Sequence, residues 1–275
     1  MVRIIGWLGF IFGAFVLSLL PGAVWAGLLT ANLKTGVETP WSVPAALVLL
    51  WLAWRFLGGE GPWKPSEARR AYRRALPVSA PVWGWALLAN AFALAALVGL
   101  WIGLRHLVKI PGNPLPDFSH YPLPVLVAVL ACAALVGAVG EEVGLRGYLQ
   151  GRLERGLPGS LAILLTALIA APGHALTQGF VWPTLLFYLL ADITYGLTAR
   201  LTGSIVPGII AHTCGLFVFF FAVWPADACR VLLPWTDSGI LSLAALAVIA
   251  GALAVWSFMR LGGLVRPPRT PASAR

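Results

Sequence analysis

Residues 136–150 read Val-Gly-Ala-Val-Gly-Glu-Glu-Val-Gly-Leu-Arg-Gly-Tyr-Leu-Gln. Two adjacent carboxylates, Glu141 and Glu142, close an apolar stretch, and Arg146 follows one helical turn later. The chain of 275 residues holds only ten acidic side chains. A charge near the centre of a membrane helix costs roughly 2.5–3.5 kcal/mol even on the most lenient scale, so acids in such a place mark a functional site. Whether the rest of the chain is a membrane protein decides how this run is read.

Composition answers that. Hydrophobic residues make up 59% and charged residues 11%, with a mean hydropathy of +0.86. Apolar runs long enough to span a bilayer recur along the whole length. Eight are expected, near 4–31, 41–58, 80–104, 123–149, 159–178, 182–201, 203–224 and 238–260. The reading is an all-α polytopic bundle of about eight transmembrane helices with no soluble domain. The first run is too long for a cleaved signal peptide and lacks a small-residue cleavage site. The chain divides into N-terminal helices and a basic loop (1–122), a core (123–222), a C-terminal helix (223–263) and a disordered basic tail (264–275).

Basic residues set the orientation. Fourteen of the 19 Lys and Arg fall in one set of connections and four in the other, with Arg146 set aside. Both termini are therefore expected in the cytoplasm. The formal charge of +9 is explained by this asymmetry and by anionic headgroups, and no basic patch is interleaved with aromatics, so nucleic acid is not an expected partner. Cys132, Cys214 and Cys229 form no CxxC pair and no zinc spacing, and the two inside spans read as packing residues.

The loop at 59–79 has the pattern of a short interfacial helix, with Trp63 and Tyr72 at headgroup level, or of a plain basic anchor. The Pro-rich segment 105–122 holds His106 and His120 and reads as a solvated outer loop.

Three other titratable groups fall inside spans: His174, Asp192 and His212. Glu141 lies about sixteen residues before the turn at 156–159 and His174 about sixteen after it, hence both about 25 Å from it. Asp192 and His212 lie about ten residues either side of the turn near Thr202, at about 15 Å. The depths agree if the first hairpin protrudes by about two turns, which Arg152, Glu154 and Arg155 favour. Four spans then bring Glu141, Glu142, His174, Asp192 and His212 to one level. Glu142 and Arg146, at i and i+4, can pair, and Glu141 can point into the bundle. A carboxylate beside a histidine in an apolar site suits water activation, and a second histidine suits a developing oxyanion. A Glu/His/His set can also hold zinc.

These residues resemble the CPBP family, the CAAX-prenyl-protease-2-like (Rce1, abortive-infection) intramembrane proteases. The resemblance rests on Glu-Glu-x-x-x-Arg at 141–146, a histidine some thirty residues on, and Thr-Gly-Ser-Ile-x-Pro-x-Ile-x-x-His at 202–212, and covers about 123–222. It implies that Glu141 activates water with His174, that Glu142 and Arg146 orient the site, and that His212 stabilises the oxyanion. It implies no required cofactor, with zinc on Glu141, His174 and His212 the alternative. Asp192 is either a supporting group or a structural partner of Tyr195, Arg200 or a histidine. Two positions depart from the family pattern: Ala170 stands where it has Phe, and Leu216 where it has Asn. Asp192, Thr213 or Gln178 are the candidates to compensate for the latter.

The expected function is an intramembrane endopeptidase of a bacterial inner membrane. It would cut near the C-terminus of a membrane-anchored or lipid-modified protein or peptide, reached from the cytoplasmic side. The alternative is a non-catalytic immunity or scaffold protein that keeps the fold, which Leu216 supports. A proton-coupled transporter is a weaker third, because no inverted repeat is visible. Membrane lipids are partners in every case. The phenylalanines at 217 and 219–221 read as lipid-facing or core.

Overall fold

A computed structural model describes residues 2–35, 39–61, 65–111, 121–227 and 229–265. Among these, all regular structure is helical. Helix α1 spans Val2–Thr35, α2 Ser42–Leu57, α3 Glu67–Arg73 and α4 Ala80–Leu107. Helix α5, Leu123–Glu141, continues through a π-helical stretch, Glu142–Gln150, and a last turn, Gly151–Leu153. Then come α6 (Gly159–Gln178), α7 (Trp182–Thr202), α8 (Val206–Val218) and α9 (Ser238–Val265). Helix α8 runs on through a wide turn at Phe219–Val223 into Trp224–Asp227.

Every expected span coincides with a helix. Five are long and apolar enough to cross a membrane: Gly6–Thr35, Ala80–Leu107, Leu123–Leu153, Val206–Asp227 and Ser238–Val265. Ser42–Leu57 and Gly159–Ala175 are shorter apolar helices. Helix α7 is more polar, with Asp192, Arg200 and four threonines. The solvent logic is inverted relative to a water-soluble domain. Phe12, Val248 and Met259 are at least 70% exposed, whereas Glu142, Arg146 and Gln150 are wholly buried. An apolar exterior around a polar interior is what a hydrocarbon solvent selects.

Helix α5 is the centre, packed by α1 and α2 on one side and by α8 on another, while α6 and α7 form a hairpin and α4 pairs with α9. Glycines set how close α5 comes to its neighbours. A Cβ on Gly140 would fall 2.7 Å from the Ser18 carbonyl oxygen, and one on Gly144 2.6 Å from that of Ala14. Small residues spaced by four let helix backbones touch, which supplies packing where lipid offers no hydrophobic drive. Gly144→Val therefore forces α1 away. We expect an overpacking cost of about 1–3 kcal/mol, read as a lowered melting temperature of the detergent-solubilised protein.

The basic end is built on the 59–79 loop. Ser66 caps α3 by accepting from the Arg69 amide at 3.3 Å. Tyr72 stacks on Tyr148 with centroids 5.1 Å apart, and Arg73 lies over Trp54. The expected short helix is present, but it folds back onto the bundle, and Trp63 lies outside the described residues. Arg74, in the left-handed region at φ 52°, clasps three elements. Its guanidinium donates to the carbonyls of Arg146 and Ala199 and pairs with Glu154 at 3.1 Å, while its own carbonyl accepts from the Ile205 amide.

At the other end Asp227, 5% exposed, takes hydrogen bonds from Trp101 (2.8 Å) and Arg230 (2.6 Å) and lies 3.6 Å from Arg105. His106 donates to the Val231 carbonyl there. Asp227 lies beyond the span expected at 203–224 and was not singled out from the sequence. Its burial depends on the wide turn that carries α8 four residues further. Residues 112–120 of the Pro-rich loop, with His120, and the tail beyond Val265 lie outside the described residues. Cys132 is packed as expected, but Cys214 is exposed on α8.

Candidate active site

The acids come from the end of α5 and the histidines from α6 and α8. Helix α6 remains helical through Pro172 and Gly173, and His174 follows them directly. Gly173 faces Phe15 of α1, where a Cβ would come within 3.2 Å of the ring. Proline removes one backbone bond and bends a helix, and a small residue beside it allows close approach. His174 Nε2 stands 3.6 Å from Glu141 Oε2, and His212 Nε2 stands 3.6 Å from the same oxygen. Two histidines from separate helices thus converge on one carboxylate oxygen. The convergence expected of Glu141, Glu142, His174 and His212 is what the fold produces.

The two glutamates part company. Glu142 is fully buried and lies 3.7 Å from Arg146 Nε; its Oε1 accepts from His212 Nδ1 at 3.1 Å. Its other oxygen lies against Gly208, where a Cβ would come within 2.7 Å, so a glycine in the first turn of α8 makes room for it. Unpaired amides at a helix start favour a carboxylate there. Glu141 keeps 17% of its side chain exposed and lines a cavity of about 270 Å³. Glu142 does not line it. Water can reach the first acid and not the second.

Arg146 is wholly buried and holds Asp192 through both its carboxylate and its carbonyl. The hydrogen-bonded partner of Asp192 is therefore Arg146, and His174 lies near enough to act on it electrostatically. Helix α7 also supplies what sequence reading missed. Tyr188, Asp192 and Tyr195 fall at i, i+4 and i+7, on one face of the helix. Tyr188 stacks on His174 (4.1 Å, 9°) and Tyr195 on His212 (4.2 Å, 15°). Each histidine is thereby held flat against a ring. The stripe was visible in the sequence, but nothing there told which helix it would face.

The cavity is lined by the acid–histidine cluster at one end. Away from it the wall is Gln178, Phe187, Leu97, Phe219, Phe220 and Trp224. Phe219 and Phe220 are thus cavity residues rather than only lipid-facing or core. These positions lie toward the Asp227 end of their helices, so the cavity runs away from the Arg-rich end. Leu216 forms part of its wall. Ala170 packs instead with Ala14, Leu145 and Leu149 on the π-helical side. Thr213 bonds its own helix at the Ile209 carbonyl and does not line the cavity, leaving Gln178 and Asp192 as the compensating candidates within it.

The donor set was tested for zinc. Among the described residues no group of three His, Cys, Asp or Glu side chains is arranged to hold a metal ion. His212 Nδ1 bonds Glu142, which leaves Nε2 as the nitrogen that faces Glu141.

Comparison with known families gives one result. Residues 123–218 match the family model described as Type II CAAX prenyl endopeptidase Rce1-like. Searches of curated proteins and of solved structures each found no match. The matched segment runs from the start of α5 to the end of regular α8 and contains every acid and histidine of the cluster.

Proposed function

From the match of residues 123–218 to the Rce1-like family model of CAAX prenyl endopeptidases, we propose that this chain is an intramembrane endopeptidase using a glutamate-activated water. The observation that carries the reading is the pair of 3.6 Å approaches by which His174 and His212 face Glu141 Oε2 in a cavity. Water held between Glu141 and His174 gives a proton to the Glu141 carboxylate as its oxygen attacks the scissile carbonyl. His212 donates to the oxygen that becomes negative. Glu141 then returns the proton to the departing amine, which completes hydrolysis.

The tautomer of His212 follows from its partners. An ionised carboxylate only accepts, so Nδ1 donates to Glu142. Nε2 can then donate to an oxyanion only when both ring nitrogens carry protons. Glu142 is the counter-charge for that form, while Arg146 and Asp192 offset each other beside it. This gives the buried charges a division of labour: Glu141 reacts, and the others set its surroundings.

The substrate is a protein or peptide anchored in the membrane or carrying a lipid, cut near its C-terminus. We further propose eight spans with both termini cytoplasmic, in a bacterial inner membrane. That orientation places Arg55, Arg74, Arg152, Arg155 and Arg200 inside and points the cavity toward the opposite face. Substrate then enters from the bilayer or from that face, in contrast to the cytoplasmic approach expected from the sequence. Leu216 in the cavity wall is the one observation favouring a non-catalytic scaffold.

The deciding experiment compares wild type with Glu141→Ala at equal expression in the native host and profiles the C-termini of membrane proteins by mass spectrometry. A terminus that is shifted in wild type and stays intact in the variant is the expected result. Identical profiles, with both proteins present and folded, would sink the protease reading in favour of the scaffold. On the purified protein, excess EDTA is expected to leave cleavage of such a substrate unchanged. Loss of activity restored by zinc would instead make Glu141, His174 and His212 metal ligands.

A further inference from the structure

The cavity has a second polar end that the reaction above does not use. Gln178, Tyr188 and Trp224 are each 7% exposed and all line it. Among the described residues, Gln178 Oε1, the Tyr188 hydroxyl and Trp224 Nε1 have no hydrogen-bond partner. The Gln178 amide lies beside the Tyr188 hydroxyl, without the geometry of a formed bond. Other orphaned atoms are either in the charged cluster, such as Glu142 Oε2 and Asp192 Oδ2, or outside this cavity, such as those of Ser42 and Asn90. Buried polar groups are almost always satisfied, so three orphans sharing one cavity need a common explanation.

Their chemistry defines the missing partner. Gln178 offers an acceptor and a two-proton donor, Tyr188 either role, and Trp224 a donor only. All three are neutral, which suits a neutral ligand better than an ion. Between them run Phe187, Leu97, Phe219 and Phe220, an apolar wall. A ligand that is polar along its backbone and apolar at its side chains matches this layout: one peptide unit presents a C=O and an N–H with hydrocarbon on either side. Helix position links the subsite to the chemistry, because Gln178 follows His174 by four residues on α6 and Tyr188 stacks on His174. The cavity of about 270 Å³ has room for water on these groups when empty and for an extended chain that displaces it.

Building on the protease reading, we propose that Gln178, Tyr188 and Trp224 form a subsite that binds a main-chain amide of an extended peptide substrate next to the bond being cut. The side chains of that peptide at this subsite are apolar.

The test is a binding measurement that needs no turnover. The full-length chain carrying Glu141→Gln, in lipid nanodiscs, is titrated against a dansyl-labelled capped hexapeptide of Ala and Leu and followed by fluorescence anisotropy. Gln178→Leu and Tyr188→Phe, added singly, are expected to weaken binding by roughly 5- to 100-fold, the loss for a substrate amide left unpaired in a buried site. N-methylating the peptide amides one at a time should reproduce that loss at one position. The same N-methylation should cost nothing further on Gln178→Leu, a coupling that general loosening of the fold would not produce. Equal affinity across the variants would overturn the proposal. So would failure of the Glu141→Gln protein to bind the peptide, and the C-terminal profile of wild type then judges the protease reading separately.

Discussion

Glu141→Gln is expected to reduce cleavage by about 10²–10⁴-fold, the range for removing a positioned general base, while leaving the protein folded. The side chain is nearly isosteric, and the Glu141 carboxylate meets the cavity rather than the packed interior. Glu142→Gln should behave differently. Glu142 is wholly buried between Arg146 and His212, whose Nδ1 it alone holds, whereas Arg146 keeps Asp192 and His212 keeps only the reactive Glu141. Its loss should lower activity and stability together. Measuring rate and melting temperature for both variants separates the reactive glutamate from the supporting one. If Glu142→Gln keeps its melting temperature and loses all activity while Glu141→Gln stays active, the two roles assigned here are reversed.

Arg146→Met should be the most damaging single change to the fold. Methionine fills the space, but it leaves Glu142 and Asp192 buried without their cation. Breaking a buried pair from one side typically costs about 3–5 kcal/mol, because the remaining charge has lost its partner. For a chain of this size that is a fall on the order of 10 °C in melting temperature, read by thermal aggregation in detergent. Adding Asp192→Asn should recover part of the loss, because it removes one of the stranded charges. Such recovery marks an electrostatic cause, since two independent packing defects would only add. An unaltered melting temperature in Arg146→Met would show that the buried charges are satisfied without the guanidinium.

The sequence and the structure agree on the convergence of acids and histidines for a simple reason. Depth in a membrane helix is residue count times rise, and the hairpin turns supply the zero. Membrane energetics also make every internal charge conspicuous, so Glu141, Glu142, Arg146, His174, Asp192 and His212 could be singled out one by one. Azimuth is different. Glu141 and Glu142 are about 100° apart, and which of them meets a cavity depends on how α5 is rotated against α1. Gly140 and Gly144, packed on Ser18 and Ala14, set that rotation. The pairing of Asp192 with Arg146 was hidden likewise, because it joins helices forty-six residues apart. Asp227 escaped because its burial depends on contacts with Trp101 and Arg105 over 120 residues away.

What the sequence by itself determined is the all-helical apolar class of protein, the positions of its apolar helices, the asymmetry of its charged ends and the identities of the ionisable cluster. These follow from hydropathy, helical rise and the cost of charge in hydrocarbon, each a property of one segment at a time. Only the tertiary structure decided which glutamate faces the cavity, that Tyr188 and Tyr195 back the two histidines, and that the cavity runs from the cluster past Gln178 to Trp224. Those depend on helix rotation and close glycine contacts, which are set jointly by neighbours and are encoded in no single stretch of chain.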